Sequence, residues 1–304
     1  MKNTNDRKEK NSPASKILSA ETIGFGPMGS QFQSNIIDTF TAAREREYPV
    51  FAEFLPSIEI IEGRYLVRFA RTRAELDAVL KLRFEVFNLE LGEGLDSSYR
   101  TGRDLDEFDE FCHHLIVLDT NEDRIIGTYR CQTGEMASAG EGFYSATEFD
   151  FSFMPADVMA NSVELGRACI AESHRNTVVL FLLWKGLAMY MAHTRKRYLF
   201  GCCSLTSQDP REGKAVMELL EQNDHLHPTI RLPPVKEMAC YDPSFSFDET
   251  VEAHIPRFFR TYLRFGAKVC GPPAIDRLFK TIDYLVIFDV GLMDAQMRKT
   301  FFGV

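Results

Sequence analysis

The chain has 304 residues, of which 45% are hydrophobic and 26% charged, and its formal net charge is −9. That length can bury one large core, the composition is that of an ordinary globular protein, and the acidic balance argues against a nucleic-acid binder, which would carry a basic face. The seven cysteines are odd in number, include no C-x-x-C pair and sit mostly in apolar runs, which suits a reducing cytosol better than a disulfide framework.

The opening MKNTNDRKEKNSPASK has no apolar core and does not read as a signal peptide. Residues 1–20 are polar enough to stay disordered. GFGPMG at 24–29 is a turn-rich hinge, and 35–54 is weakly amphipathic, predicting a helix that docks on the domain or lies on a membrane. The expected organisation is a tail and peripheral helix over 1–60 and one domain over 61–304.

Within that domain, 65–70 alternates as a strand does. Thr72 with Glu75 forms a capping box, and Leu76, Val79, Leu80, Phe84, Val86 and Phe87 fill one face of a helix ending near Gly92. A loop crowded with acid follows: Asp104, Asp106, Glu107, Asp109 and Glu110. The spacing then predicts strands at 114–118 and 124–131 joined by a short turn, an insertion rich in Gly, Ser and aromatics at 132–160, and a strand at 162–170. The next segment, 178–193, is an apolar helix that Lys185 interrupts and that is shorter than the ~20 residues a membrane span needs. A strand at 198–203, helices at 210–222 and 249–265, and a strand at 284–290 complete a mixed α/β sheet with helices on both faces.

The strand at 162–170 carries Glu164 and Arg167, and an unpaired buried charge costs roughly several kcal/mol. Either this is an edge strand with two solvated side chains, or a central strand presenting a base and a cation to a cleft. No G-x-S-x-G elbow or phosphate-binding loop is present. His113-His114 and His225-x-His227 lack partners at ligand spacing, so no metal is expected. His114 and Asp119 match an H-x-x-x-x-D acyltransferase signature, but an offset of five along a strand puts them on opposite faces, and the match is read as chance.

The order of elements, with a charged strand feeding an apolar helix, resembles the GNAT fold. That resemblance implies a splayed parallel pair, here 162–170 and 198–203, with a thioester carbonyl at the opening. Acetyl-CoA users of this fold grip the pyrophosphate with a Q/R-x-x-G-x-G/A loop at the following helix. This chain has Arg175-Asn-Thr-Val-Val-Leu there, with neither glycine, which favours an acyl group on protein-bound pantetheine. An ordered series sharpens the likeness: Leu82-Arg83-Phe84-Glu85-Val86-Phe87, Asp106-x-x-Asp109, Cys112-x-His114-Leu-Ile-Val, Gly127-Thr128-Tyr129-Arg130 and Glu164-Leu-Gly-Arg167. It is similar to the N-acyltransferases that make lyso-ornithine and related amino-acid lipids from acyl-ACP, and more distantly to acyl-homoserine lactone synthases. The match spans about residues 64–290.

The resemblance implies Glu164 as general base for an amino acid's α-amine, and Arg83, Arg130 and Arg167 as readers of its carboxylate. Asp106 and Asp109 would hold those arginines or a cationic substrate side chain. Phe87, Phe143, Phe149 and Phe151 are expected either to line a pocket for a long acyl chain or, in the insertion, to form a small core. Arg195, Lys196 and Arg197, with Arg257, Arg260, Arg264 and Lys268 at helical spacing nearer the C-terminal end, are expected to dock the acidic acyl carrier protein. Glu164 has a competing structural role as an ion pair with Arg167. For both to reach one cleft, the strand needs a bulge near Gly166. No bound cofactor is expected; acyl-ACP, a phosphopantetheine thioester, is the co-substrate, and an amino acid such as ornithine or glycine the acceptor. The expected setting is the cytoplasm, with peripheral contact at the inner membrane face left open. Two other readings are a homoserine-lactone-type signal synthase and a catalytically silent acyl-ACP or lipid-binding module.

Overall fold

A computed structural model of the chain describes residues 48–57, 59–247 and 251–302. The expected tail, the 24–29 hinge and most of the 35–54 helix lie outside the described residues. The elements, in chain order, are β1 (Ile60–Glu62), β2 (Tyr65–Phe69), α1 (Arg73–Phe84), α2 (Ser98–Thr101), β3 (His113–Asp119), β4 (Arg124–Thr133), α3 (Gly134–Ala139), α4 (Ala156–Ala160), β5 (Ser162–Ile170), α5 (Thr177–Thr194), β6 (Tyr198–Leu205), α6 (Pro210–Gln222), α7 (Arg257–Arg264), β7 (Lys268–Val269), β8 (Ala274–Asp276), β9 (Thr281–Asp289) and α8 (Ala295–Phe302).

The nine strands form one mixed sheet in the order β1-β2-β3-β4-β5-β6-β9-β7, with β8 also on β9. Every pairing is antiparallel except β5 with β6. This is the GNAT-like α/β architecture that the order of elements predicts. The capping box forms as expected: Thr72 accepts from Glu75 N–H, and the Glu75 carboxylate accepts from Thr72 N–H. Beyond α1 the chain winds a looser turn over Glu85–Glu90, closed by Leu91 N–H on the Val86 carbonyl at 3.0 Å. Such π-type turns gather at functional sites.

Helix α5 has the length and composition of a membrane span, yet eight of its residues are buried on the sheet. Gly186 allows the close approach, since a Cβ there would press on Leu115 at 2.7 Å. Burying each large apolar side chain contributes roughly 1.5–3 kcal/mol. Helix α1 packs on the opposite face, so helices cover both sides.

The expected helix over 249–265 is shorter: α7 begins only at Arg257. Pro256 has no N–H to donate within a helix and pushes the residue before it into extended backbone, so the helix starts just after it. The strands at β1, β7 and β8 are too short to show a period of two in the sequence.

The feature that matters most for the site is where β5 and β6 stop pairing. Their ladder holds only at Ser162↔Tyr198, Val163↔Leu199 and Glu164↔Phe200, while β5 continues to Ile170 and β6 to Leu205. Gly201 sits at the divergence, where a Cβ would overlap the Leu165 carbonyl oxygen. Gly201→Ala should therefore lower stability by about 3 kcal/mol, read as a shift in the urea midpoint with an unchanged m-value. A variant as stable as wild type would show that the two strands can separate further at no cost.

Candidate active site

Two cavities open at the splayed strands and share Leu165–Ala168, Cys202, Cys203, Tyr129 and Phe258 in their walls. The larger, about 590 Å³, passes through the sheet. On one side it is lined by Thr177, Leu180 and Leu183 of α5, and on the other by Val86, Phe87, Arg130, Tyr144, Ser145 and Glu164. The smaller, about 140 Å³, is apolar and lies between α5, β6, α7 and α8, with Trp184, Leu187, Met191, Phe265 and Phe301 in its walls. Trp184 packs edge-on to Phe265 with centroids 4.5 Å apart.

Glu164 faces the larger cavity and is buried. Its carboxylate accepts the backbone N–H of Tyr144 at 2.9 Å and of Ser145 at 2.7 Å. These N–H groups open the 3-10 turn Tyr144–Thr147 and have no partner within it. Glu164 is thus fixed by the insertion and not by Arg167, with which it shares no ion pair among the described residues. Burial raises its pKa, and the Ser145 and Tyr144 hydrogen bonds only partly oppose that. The two N–H groups use two of the carboxylate's roughly four lone-pair sites and leave the others for a proton.

Behind Glu164 lies a buried cluster of three arginines and three aspartates. Arg83 Nε meets Asp104 at 2.7 Å and its Nη1 meets Asp109 at 2.5 Å. Arg130 Nη1 donates to Asp106 at 2.5 Å and to Asp109 at 3.1 Å. Arg167 Nη2 donates to Asp106 at 2.9 Å, and its Nε has no hydrogen-bond partner. Although burial alone would raise them, Arg83 and Arg130 hold the Asp109 carboxyl well below its usual range, and Arg130 lowers that of Asp106. His114, whose Nε2 donates to the Asp109 carbonyl at 3.1 Å, is kept neutral by burial, its pKa lowered to about 4. Asp119 is held elsewhere, by Arg64 at 2.7 Å and His174 at 3.0 Å, so it forms no dyad with His114.

The bulge near Gly166 is present. Thr128 pairs with Cys169 but Arg130 with Gly166, so β5 carries one extra residue. That residue is Arg167 itself, in left-handed backbone at φ 50°. The bulge turns its guanidinium onto the Tyr144 ring at 5.0 Å and the Phe279 ring at 4.1 Å, and Arg130 lies over Tyr144 at 5.4 Å. Arg130 and Arg167 line the larger cavity. Arg83 does not: it is fully buried, and its donors are taken up by Asp104 and Asp109, so it supports the cluster and reads no ligand.

Of the expected acyl-pocket residues, Phe87 lines the larger cavity and packs on Phe279 at 5.4 Å. Phe143 and Phe149 are instead buried in a small core with Phe200, Ile230 and Leu232, against which Phe151 packs. The insertion has to cover its own apolar side chains, and it does so away from the cavity. The basic triplet is also displaced. Arg195, Lys196 and Arg197 precede β6 at the closed end of the strand pair and line neither cavity. Lys196 is bound to Glu135 and to the Ala160 carbonyl, and Arg197 is bidentate on Asp289 at 2.8 and 2.7 Å.

Sequence reasoning placed Tyr144 only among the insertion's aromatics, although its N–H, ring and hydroxyl each meet a different charged group, and it passed over Asp104, which looked like one acid among five. It also passed over the aromatic residues of α7 and α8 around the apolar cavity. The alternation of arginine and aspartate motifs was the available signal for the cluster; nothing in the pattern marks Tyr144.

If the cluster is balanced as described, Asp109→Asn leaves a buried guanidinium uncompensated and should cost about 3–5 kcal/mol. Because the folded carboxyl titrates below its unfolded value, that stabilisation is complete above about pH 4 and is lost as pH falls further. The stability gap between wild type and variant should hold from pH 8 to pH 5 in chemical denaturation and close below pH 4. A gap that closes near neutrality would mean Asp109 is not the charged partner.

Comparison with known proteins adds three findings. The acetyltransferase (GNAT) domain family matches residues 82–185. The L-ornithine N(alpha)-acyltransferase of Rhizobium meliloti is 31% identical over 240 residues, 75% of this chain and 81% of that protein; those of Agrobacterium fabrum and Brucella abortus are 31% and 30% identical, with 82% and 85% of their lengths covered. Among solved structures, the acyl-homoserine lactone synthase LasI aligns at TM-score 0.44 with 11% identity over 80% of this chain and 96% of that one, and the N-acyl amino acid synthase FeeM at 0.40 with 11% over 75% and 92%. With a GNAT-type domain, a splayed strand pair and relatives matched over most of their length, the chain is an acyltransferase that belongs to the L-ornithine N(alpha)-acyltransferase family.

Proposed function

We propose that this enzyme moves a long acyl chain from the thioester of acyl carrier protein to the α-amine of L-ornithine or a closely related amino acid, on the cytosolic side of the membrane. The observation that carries this reading is the cavity through the sheet, which brings Glu164, two arginines and the apolar lining into one space. The acceptor's carboxylate would lie against Arg130 and Arg167. Its α-ammonium passes a proton to Glu164, directly or through one water. The freed amine attacks the thioester carbonyl, a C–N bond forms and the C–S bond breaks. One ammonium proton ends on the released thiol and the other leaves through Glu164.

The N-terminus of α5 supports a carrier-bound donor. A CoA pyrophosphate would need the orphan N–H groups there. Asn176 already caps the helix, accepting from Val179 N–H, and Arg175 is held by Glu90 and the Ile170 carbonyl. Long-chain acyl-ACP should outperform acetyl-CoA as donor by at least about tenfold in kcat/KM, a modest threshold beside the losses usual for missing contacts. Equal use of acetyl-CoA would sink the carrier assignment. Glu164→Gln should lower turnover roughly 10²–10⁴-fold and remove an acidic limb of the pH–rate profile lying above the ordinary carboxylate value of about 4.3. A variant with near wild-type turnover would leave Glu164 as a cap on the 144–147 turn alone.

The carrier's acidic surface would meet α7, where Arg257, Arg260 and Arg264 are exposed and Arg257 borders the cavity. Reversing Arg257 and Arg260 to Glu should raise the KM for acyl-ACP several-fold at low salt and flatten its salt dependence, with a much smaller effect from reversing Arg195 and Arg197. The opposite ranking would return docking to the triplet before β6.

A further inference from the structure

Glu148, Asp276 and Asp283 bring three carboxylates together, with ligand atoms within 4.8 Å of one another. They are buried, at 1, 7 and 3% exposure, and Asp283 lies in the wall of the larger cavity. The aspartates of the arginine cluster are each paired with guanidinium groups. No cation pairs with any of these three among the described residues. Glu148 Oε1 and Asp283 Oδ1 have no hydrogen-bond partner at all. The other oxygens meet neutral donors: the Cys202 thiol on Glu148 at 3.6 Å, the Thr281 hydroxyl on Asp283 at 2.9 Å and the Tyr144 hydroxyl on Asp276 at 3.2 Å. Leu278 and Phe279 N–H groups hold the second Asp276 oxygen, both at 2.8 Å.

Buried carboxylates without counter-charge are costly unless something brings the missing positive charge. Burial accordingly raises the pKa of Glu148 well above its usual value and that of Asp283 to about 6. Tyr144 fixes where such a charge would sit. Its backbone N–H is on Glu164 and its hydroxyl is on Asp276, so the carboxylates stand one tyrosine's length from the base. Both faces of the problem share one cavity: cations at Arg130 and Arg167, uncompensated anions at Asp283. A ligand matching that pattern carries a carboxylate, an amine beside it and a second cation at the end of a short chain.

We propose that Glu148, Asp276 and Asp283 bind the distal ammonium of the acceptor, so that the enzyme selects amino acids with a second amine. A primary ammonium has three N–H donors, one for each carboxylate. This rests on the reading that an amino-acid α-amine is acylated beside Glu164.

The test uses the full chain, long-chain acyl-ACP, and two acceptors of the same carbon skeleton, L-ornithine and L-norvaline, which lacks the distal amine. Wild type should prefer ornithine by roughly 10- to 100-fold in kcat/KM. In Asp283→Asn and Glu148→Gln that preference should fall to within a few-fold of unity, mainly through the acceptor KM. Both variants remove a charge that burial disfavours, so without acceptor they should melt no lower than wild type, and they should lose the Tm rise that ornithine gives wild type. Equal use of the two acceptors by wild type, or an ornithine-dependent Tm rise kept in both variants, overturns the proposal while α-amine acylation stands. If neither acceptor is acylated, the underlying reading fails and the proposal with it. A Tm rise from Mg²⁺ or Mn²⁺ alone, absent in both variants and with none from ornithine, makes the cluster a metal site and overturns it as well.

Discussion

The site depends on a charge balance made out of reach of water. Three guanidinium groups and three carboxylates fill the space between α1, β4 and β5, and each aspartate touches at least one arginine. Taking that many charges out of water is repaid only if the geometry leaves few unmatched. The arrangement meets that demand by making the ions neighbours on alternating sides: Asp109 lies between Arg83 and Arg130, and Asp106 between Arg130 and Arg167. Its consequence for function is position. Arg130 and Arg167 cannot swing away from Tyr144 without abandoning an aspartate, and the bulge that presents Arg167 is held by the same contacts.

Next to this balanced cluster lies an unbalanced one, which Asp283 brings to the cavity wall, and Tyr144 connects the two. Its ring lies under both arginines, its N–H steadies Glu164 and its hydroxyl reaches the acidic cluster. One residue of a loop insertion therefore sets the spacing between the points that would recognise carboxylate, reacting amine and distal charge. The two clusters differ in compensation: every aspartate beside the arginines has a cation, whereas Glu148, Asp276 and Asp283 have none among the described residues, at some cost in stability.

Much of the frame was legible from local pattern. The capping box at Thr72, the strand at 162–170 and the helix from Pro210 are local signals, and each element forms at its expected place. The two charges in the strand also indicated a bulge, because a period of two cannot point Glu164 and Arg167 into one cleft. What failed depended on long-range packing. The insertion's phenylalanines look the same in sequence whether they line a tunnel or cover each other, and which surface they meet is decided by Phe200, Ile230 and Leu232 from distant segments. Arg83 reads in sequence like Arg130 and Arg167, and a pairing with the acidic loop was legible; what only the fold shows is that Asp104 and Asp109 enclose it away from the cavity. The acidic cluster joins residues more than a hundred positions apart, and no spacing could announce it.

The proposed orientation sets the acceptor's carboxylate at Arg130 and Arg167, its α-amine at Glu164 and its far end at the acidic cluster. The position of the new amide reports it directly. Tandem mass spectrometry of the product made by the purified enzyme from long-chain acyl-ACP and L-ornithine should find the acyl group on the α-nitrogen with the δ-amine free. An acyl group on the δ-nitrogen would mean that the acceptor lies the other way round, and would overturn that orientation.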